Sequence, residues 1–458
     1  MSVGRAEGPR RVQWWRIHGV NRTSAPPSGR GAVDLAGELD TLRNLGRGRA
    51  LPGRGTVVRT AGTQLGRIGR HLRLAWPVFV VFLAQRLLTV VFVYPVPGGL
   101  QNLLIRWDAG WYLRLAEGGY VYPNIAPDGR VHGSNLAYFP LFPWLVRRFG
   151  DTDLLSLGQA SVVVSWVGGL LAVWAIFAVG NDLYGRWAGI GLSALWGMAP
   201  ASLALTMGYP EGLFTASAAA ALLCLMRKRP VWAGACALVA GLLRPSAVAV
   251  IAMVWVYFLV ELGRWLAWRR SHPDDSSASP RRAAQRVGPD ASELPPVRAL
   301  LGAVLSTLGL GAFMVYVGVR TGEVFGYFAV QAQWGQQTAG FAEYWQGIEQ
   351  GLFSSPSATL VAVTIVVSMG YLLLFCLIVF NRRLMWASIY AAGILLISLT
   401  HITSQHVHLR QLLPAFVLLI PLIRMRVPRI GAIAALTVGS ILMSWGSAQF
   451  VLNPGTGM

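Results

Sequence analysis

The chain has 458 residues, of which 54% are hydrophobic and only 13% charged, and its mean hydropathy is +0.51. Soluble domains carry about 25% charged residues, so this composition excludes an ordinary soluble globular protein. The formal net charge of +20 would point to nucleic acid in a soluble chain, but beside repeated apolar runs it points to arginine-rich connections facing anionic lipid.

Residues 1–72 are rich in Arg, Gly, Ser and Pro and contain no apolar run. They read as a disordered basic cytoplasmic tail, without the apolar core that a cleavable signal peptide requires. Residues 73–452 then read as a single all-α, polytopic membrane domain. Its first span runs from about Leu74 to Tyr94 and carries Arg86, a charge that must face the bundle interior or water at that depth.

A polar and aromatic loop follows at 95–157, too charged to span, with apolar spacing that predicts short amphipathic helices. Later spans are predicted at Gly158–Val179, Trp187–Met207, Gly212–Met226, Val231–Leu243, Ala247–Leu262, Leu300–Val319, Ala358–Phe380, Leu384–Leu399, Leu412–Ile423 and Ile430–Phe450. That makes about eleven transmembrane helices, several of them short. A linker at 265–298 and a second polar loop at 320–357 interrupt them.

Arginine placement orients these spans. With the N-terminus cytoplasmic, Arg227-Lys228-Arg229, Arg269-Arg270, Arg281-Arg282, Arg382-Arg383, Arg424 and Arg426 share the cytoplasmic side. The aromatic loop, Tyr209-Pro210-Glu211, Arg244-Pro245, 320–357 and His401–Arg410 then share the outer side. Cys224, Cys236 and Cys376 all fall in apolar runs, so neither a disulfide framework nor a metal motif is expected.

Chemistry-bearing residues gather on the outer side. Asp108 lies just beyond the first span among Trp107, Trp111, Tyr112 and Tyr120. A carboxylate there can serve as a general base, while indole and phenol faces suit the C–H faces of sugars. The plainer reading is a contact between Asp108 and Arg106, or a helix cap. Glu211 opens a span, where the helix dipole favours an acid; it is either that cap or a second acid of the same cavity. Arg244 precedes Pro245 at a depth where arginine needs a partner, either Glu211 or a lipid phosphate gripped bidentately.

His406 and His408 do not have the spacing of a helical zinc site, and Arg410 beside them offers a second phosphate grip. Trp334, Phe341, Tyr344 and Trp345 read first as interfacial anchors, with the glutamines between them leaving carbohydrate contact open. No glycine-rich nucleotide loop or acidic metal–nucleotide motif stands on the cytoplasmic side. A sugar-transferring enzyme of this layout would therefore take a lipid-carried donor.

The run Arg106-Trp107-Asp108-x-x-Trp111-Tyr112-x-x-x-Ala116-x-x-Gly119-Tyr120, followed by Tyr138-Phe139-Pro140-Leu141-Phe142-Pro143, resembles the PIG-V family of mannosyltransferases and its bacterial relatives. Tyr209-Pro210-Glu211-Gly212-Leu213-Phe214 resembles a second element of that family. Leu243-Arg244-Pro245-Ser246 resembles a third in which asparagine and glycine are replaced, and Arg410-Gln411-Leu412-Leu413-Pro414 a fourth with Gln411 in place of tyrosine.

The resemblance implies a GT-C-like membrane glycosyltransferase that moves mannose from a polyprenyl-phosphate donor to an extracytoplasmic glycan, glycolipid or protein, with inversion. It implies Asp108 as the catalytic base and Arg244 or Arg410 on the phosphate. Arg106, Trp107, Trp111, Tyr112, Tyr120, Tyr138, Glu211 and His408 join these arginines as expected substrate contacts. No cofactor or metal is expected, since the lipid-linked sugar is itself the substrate. The expected location is the plasma membrane with the site outside. A transporter or flippase for a polyprenyl-linked sugar is the alternative, and a scaffold with a lipid-binding tail a weaker one.

Overall fold

The computed structural model describes residues 54–101, 106–122, 133–152, 154–271, 295–334, 337–338, 346, 349, 358–402, 405–425 and 428–452. The chain divides into two compact units, Met1–Arg67 and Ile68–Met458, and the second holds the helical bundle. Most of the expected tail, the middle of the 265–298 linker, and Phe341, Tyr344 and Trp345 lie outside the described residues.

The protein is all-α. The one strand pairing among the described residues joins Gln337–Thr338 to His401–Ile402, antiparallel. The helices are α1 (Arg54–Val93), α2 (Asp108–Gly118), α3 (Leu141–Gly150), α4 (Leu157–Tyr184), α5 (Arg186–Gly197), α6 (Glu211–Met226), α7 (Pro230–Gly241) and α8 (Ala247–Ser271). They continue with α9 (Val297–Thr321), α10 (Gly326–Ala332), α11 (Ala358–Val379), α12 (Met385–Thr400), α13 (Gln405–Leu412), α14 (Ile420–Ile423) and α15 (Arg429–Leu452). The first polar loop includes the short helices α2 and α3. The spacing of Ala109, Tyr112, Leu115 and Ala116 buries one side of α2.

Seven segments among the described residues are long and apolar enough to cross a membrane: Leu72–Val93, Leu157–Tyr184, Ala247–Ser271, Val297–Thr321, Val361–Val379, Arg382–Thr400 and Arg429–Leu452. Glu211–Met226 and Pro230–Gly241 are shorter apolar helices. The difference from about eleven arises at these two shorter helices and at two broken stretches. Where hydropathy predicts one helix at Trp187–Met207, α5 stops at Gly197 and the chain turns through Pro200 and Ala201, at φ 64°, into a 3-10 turn at Ser202–Leu205. Where it predicts one at Leu412–Ile423, α13 ends at Leu412, and a 3-10 turn at Phe416–Leu419 leads into the single turn of α14.

Non-helical backbone inside an apolar bundle needs hydrogen-bond donors from elsewhere. Arg86 supplies them for the first break. Its guanidinium donates to the carbonyls of Ser202 and Gly197 and, at 3.1 Å, to Thr206 Oγ1. The side chain is 1% exposed. An arginine in the first span is thus an internal strut, set against carbonyls at the end of α5, where the helix dipole favours a cation.

Close backbone approach fixes two helix pairs. A Cβ on Gly212 of α6 would stand 2.6 Å from the nitrogen of Gly169 in α4. A Cβ on Gly234 of α7 would collide with the carbonyl oxygen of Gly302 in α9, and one on Gly309 with that of Leu238. Small residues at such crossings let backbones touch where apolar burial alone gives helices little reason to associate.

α6 sets the polarity of the bundle. Glu211 opens it, and Arg227 just past its end pairs with Asp182 near the end of α4 at 2.8 Å. Sixteen residues span roughly 24 Å at 1.5 Å each, so Glu211 and the arginine-rich turn Arg227–Arg229 lie at opposite ends.

Candidate active site

Four separate segments deliver charge to one place. Asp108 is the first residue of α2, Glu211 the first of α6, Arg244 lies in the turn between α7 and α8, and Arg410 belongs to α13. Arg410 Nη1 stands 2.5 Å from Asp108 Oδ2, and its Nε 3.2 Å from Glu211 Oε1. Arg244 Nη1 pairs with the same Glu211 oxygen. Glu211 is therefore clasped by two guanidiniums, and Arg410 is shared between two carboxylates. Burial separates the acids: the Glu211 side chain is 1% exposed and that of Asp108 17%. A buried charge persists only when compensated, and two acids against two arginines balance.

The aromatic residues complete the wall. Tyr138 donates its hydroxyl to Asp108 Oδ1 at 3.0 Å. Burial, reinforced by the negative charge of Asp108, pushes the Tyr138 phenol far above its ordinary value, so it stays a donor. Its ring is stacked on Trp111, with centroids 6.2 Å apart, and meets Tyr112 edge-on at 5.0 Å. Tyr112 in turn faces Tyr209 at 6.4 Å, and the Arg410 guanidinium carbon lies 5.0 Å from the Tyr209 ring centre. Arg114 covers Trp111 at 3.9 Å.

The loop that carries Tyr138 is fastened by short side chains. Asn135 donates to the carbonyl of Gly119 and accepts from the Val121 amide, both at 2.9 Å, and Ser134 donates to the Val121 carbonyl. This ties 134–138 to the end of α2. The Tyr120 hydroxyl then donates to the Tyr138 carbonyl at 2.8 Å. From the second polar loop, Trp334 donates its indole N–H to the Ser134 carbonyl at 2.9 Å and stands edge-on to Trp111 at 4.8 Å. A Cβ at position 133 would come within 2.5 Å of the Trp334 ring, so glycine is required there.

Asp108, Tyr112, Tyr138, Glu211, Arg244 and Arg410 thus meet in one cluster, with Trp111 stacked behind Tyr138. The others sit apart. Arg106 donates to the carbonyl of Val451 and lies over the Trp107 ring, which packs on Phe450. The cation facing Asp108 is Arg410, not its neighbour Arg106. Trp107 has φ 54°, a conformation costing on the order of 1–3 kcal/mol in a non-glycine residue, and it is the turn on which α2 starts. The Tyr120 ring lies against Phe313 and Tyr316 of α9. His408 Nε2 meets Ser368 Oγ at 3.1 Å and Ser398 Oγ at 3.5 Å. Two residues along a helix turn a side chain about 200°, which takes His408 toward α11 and α12 and away from the carboxylates.

Tyr209, Asn135 and Trp334 join the site without being among the expected substrate contacts. Tyr209 and Asn135 stand inside or beside the Tyr-Pro-Glu and aromatic stretches. Trp334 reads from the sequence as an interfacial anchor, with carbohydrate contact left open.

The constellation pairs one partly open carboxylate with two cations anchored behind it, under a wall of aromatic rings. It can accept a proton beside a bound oxyanion.

No family profile and no curated protein matches this chain. Among solved structures, the apo form of ArnT from Cupriavidus metallidurans is 18% identical, with a TM-score of 0.45, over 79% of this chain and 62% of that one. The same protein bound to undecaprenyl phosphate gives 17% identity and a TM-score of 0.42 over the same shares. The Archaeoglobus fulgidus oligosaccharyltransferase tethered to an acceptor peptide gives 13% and 0.45, over 84% of this chain and 55% of that one. This chain therefore spans less than two thirds of the length of each.

Proposed function

We propose that this protein is a membrane glycosyltransferase of the GT-C kind. It moves a mannosyl or other hexosyl residue from a polyprenyl-phosphate donor to an extracytoplasmic glycan, glycolipid or protein. The observation that carries this reading is Asp108, a partly exposed carboxylate facing an arginine that Glu211 holds from behind.

In the reaction, Asp108 takes the proton from an acceptor hydroxyl. The hydroxyl oxygen forms a bond to the anomeric carbon of the donor sugar. The bond from that carbon to the phosphate oxygen breaks on the opposite face, and its electron pair leaves with the lipid phosphate. Configuration inverts. Arg410 and Arg244 meet the charge growing on the departing phosphate, an effect strongest in a dry, preorganised site. Guanidinium suits the role because it can give two parallel hydrogen bonds to one phosphate. Trp111, Tyr112 and Tyr138 offer ring faces and edges to the sugar.

The arginine bias along the sequence supports an N-terminus in the cytoplasm and a site facing outward. The 24 Å or so of α6 between Glu211 and Arg227 is in keeping with that layout.

The test supplies membranes containing the protein with radiolabelled polyprenyl-phosphate mannose and follows label into lipid or glycan. Transfer supports the reading. Label that crosses the bilayer unchanged, in a flipping assay on the same membranes, replaces it with a transporter.

A further inference from the structure

Both oxygens of Asp108 are occupied: Oδ1 by the Tyr138 hydroxyl at 3.0 Å and Oδ2 by Arg410 at 2.5 Å. An acceptor hydroxyl must therefore compete with one of them for the base. Tyr138 is the harder to move. Its carbonyl is held by Tyr120, and its ring is fixed between Trp111, Tyr112 and Trp334. Arg410 has somewhere else to go, because Glu211 Oε1 already lies 3.2 Å from its Nε. Leaving Asp108 would not strand it as an unpaired buried charge.

Charge balance points the same way. Two carboxylates neutralise Arg244 and Arg410, so a phosphate entering this cluster competes with them for the two guanidiniums. Glu211 is buried, holds both arginines, and has its second oxygen, Oε2, buried without a hydrogen-bond partner among the described residues. Asp108 is the more exposed of the two and holds one arginine. It is the acid that yields.

We propose that Arg410 acts as an exchange latch between the base and the donor. In the resting site it covers Asp108. The donor phosphate draws the guanidinium onto itself, pivoting on Glu211, and uncovers Oδ2 for the acceptor hydroxyl. The donor therefore binds before the acceptor, and the base is released only when a phosphate is present to receive the transferred charge. Such a latch keeps a reactive carboxylate from engaging acceptors or water in an empty site. The inference rests on the donor assigned above.

The test is equilibrium binding of a short-chain polyprenyl phosphate, without sugar, to the full-length protein in nanodiscs. Wild type is compared with Asp108→Asn, Asp108→Ser and Asp182→Asn, each checked for wild-type thermal unfolding. Asp108→Asn removes the anion that competes for Arg410, so polyprenyl phosphate should bind about tenfold more tightly, as expected for releasing one charge-assisted contact. Asp108→Ser should do the same, and either folded variant suffices. Asp182→Asn, at the far end of α6 beside Arg227, leaves Arg410 covered and should change affinity less than twofold. Equal or weaker binding to the Asp108 variants, with wild type binding normally, overturns the latch while leaving the donor assignment standing. Absence of binding to wild type and variants alike removes the donor assignment itself.

Discussion

Arg410 Nη1 lies 2.5 Å from Asp108 Oδ2, joining the start of α2 to α13, near the other end of the sequence. This contact closes the bundle at the aromatic end. With Glu211 behind it, it turns four charges from four segments into one balanced unit. The proposed base, the proposed phosphate grip and the exchange between them all depend on that unit.

Arg86 carries the fold rather than the site. It donates to the Gly197 and Ser202 carbonyls and to Thr206. Arg86→Ala leaves those acceptors buried and unpaired and opens a cavity, so it should destabilise the protein by about 3 kcal/mol or more. Thermal unfolding in detergent reads this as a large drop in Tm. An unchanged Tm would mean that the broken stretch after α5 is held by other contacts.

Arg244 pairs with Glu211 in the site. If it also grips the donor phosphate, Arg244→Ala should raise the apparent KM for the lipid-linked sugar roughly ten- to a hundredfold, the range of one charge-assisted hydrogen bond. Arg244→Lys should recover part of this but not all, since lysine keeps the charge and loses the planar fork. An unchanged KM in a folded Arg244→Ala protein would confine Arg244 to holding Glu211.

Much of the fold is legible in the sequence, and the rest escapes it for identifiable reasons. Apolar runs locate α4, α6 to α9, α11, α12 and α15 because a membrane-crossing helix must be apolar along its length. The same runs mislead at Trp187–Met207 and Leu412–Ile423, where hydropathy persists while the helix does not. Pro200, Pro414 and Pro421 are the available warning, since proline removes a donor and clashes with the preceding turn.

In the site, Asp108, Glu211 and Arg244 are readable as charges at span ends, where charge is costly without a purpose. Their pairing is not. Arg106 is close to Asp108 in sequence, yet its guanidinium goes to Val451 and Trp107. The partner comes from α13, a tertiary relationship that spacing cannot encode. His408 illustrates the converse: closeness to Arg410 in sequence places it on another side of the same helix, against Ser368 and Ser398.

Orientation in the membrane is open to a direct check. In a background lacking Cys224, Cys236 and Cys376, single cysteines at Asp128 and Asp275 should separate cleanly. An impermeant thiol reagent added outside intact cells should label position 128 and leave position 275 unlabelled until the cells are opened. The reverse pattern would turn the bundle over and put Asp108 on the cytoplasmic side.

The most direct test of the central claim is transfer from radiolabelled polyprenyl-phosphate mannose in membranes, comparing wild type with Asp108→Asn. With Asp108 as the base, label should reach a lipid or glycan acceptor with wild type and fall by at least about a hundredfold with Asp108→Asn, the lower range for loss of a general base. Donor binding by the variant should be at least as tight as that of wild type. Appreciable turnover by a folded Asp108→Asn protein would contradict the assignment of Asp108 as the base.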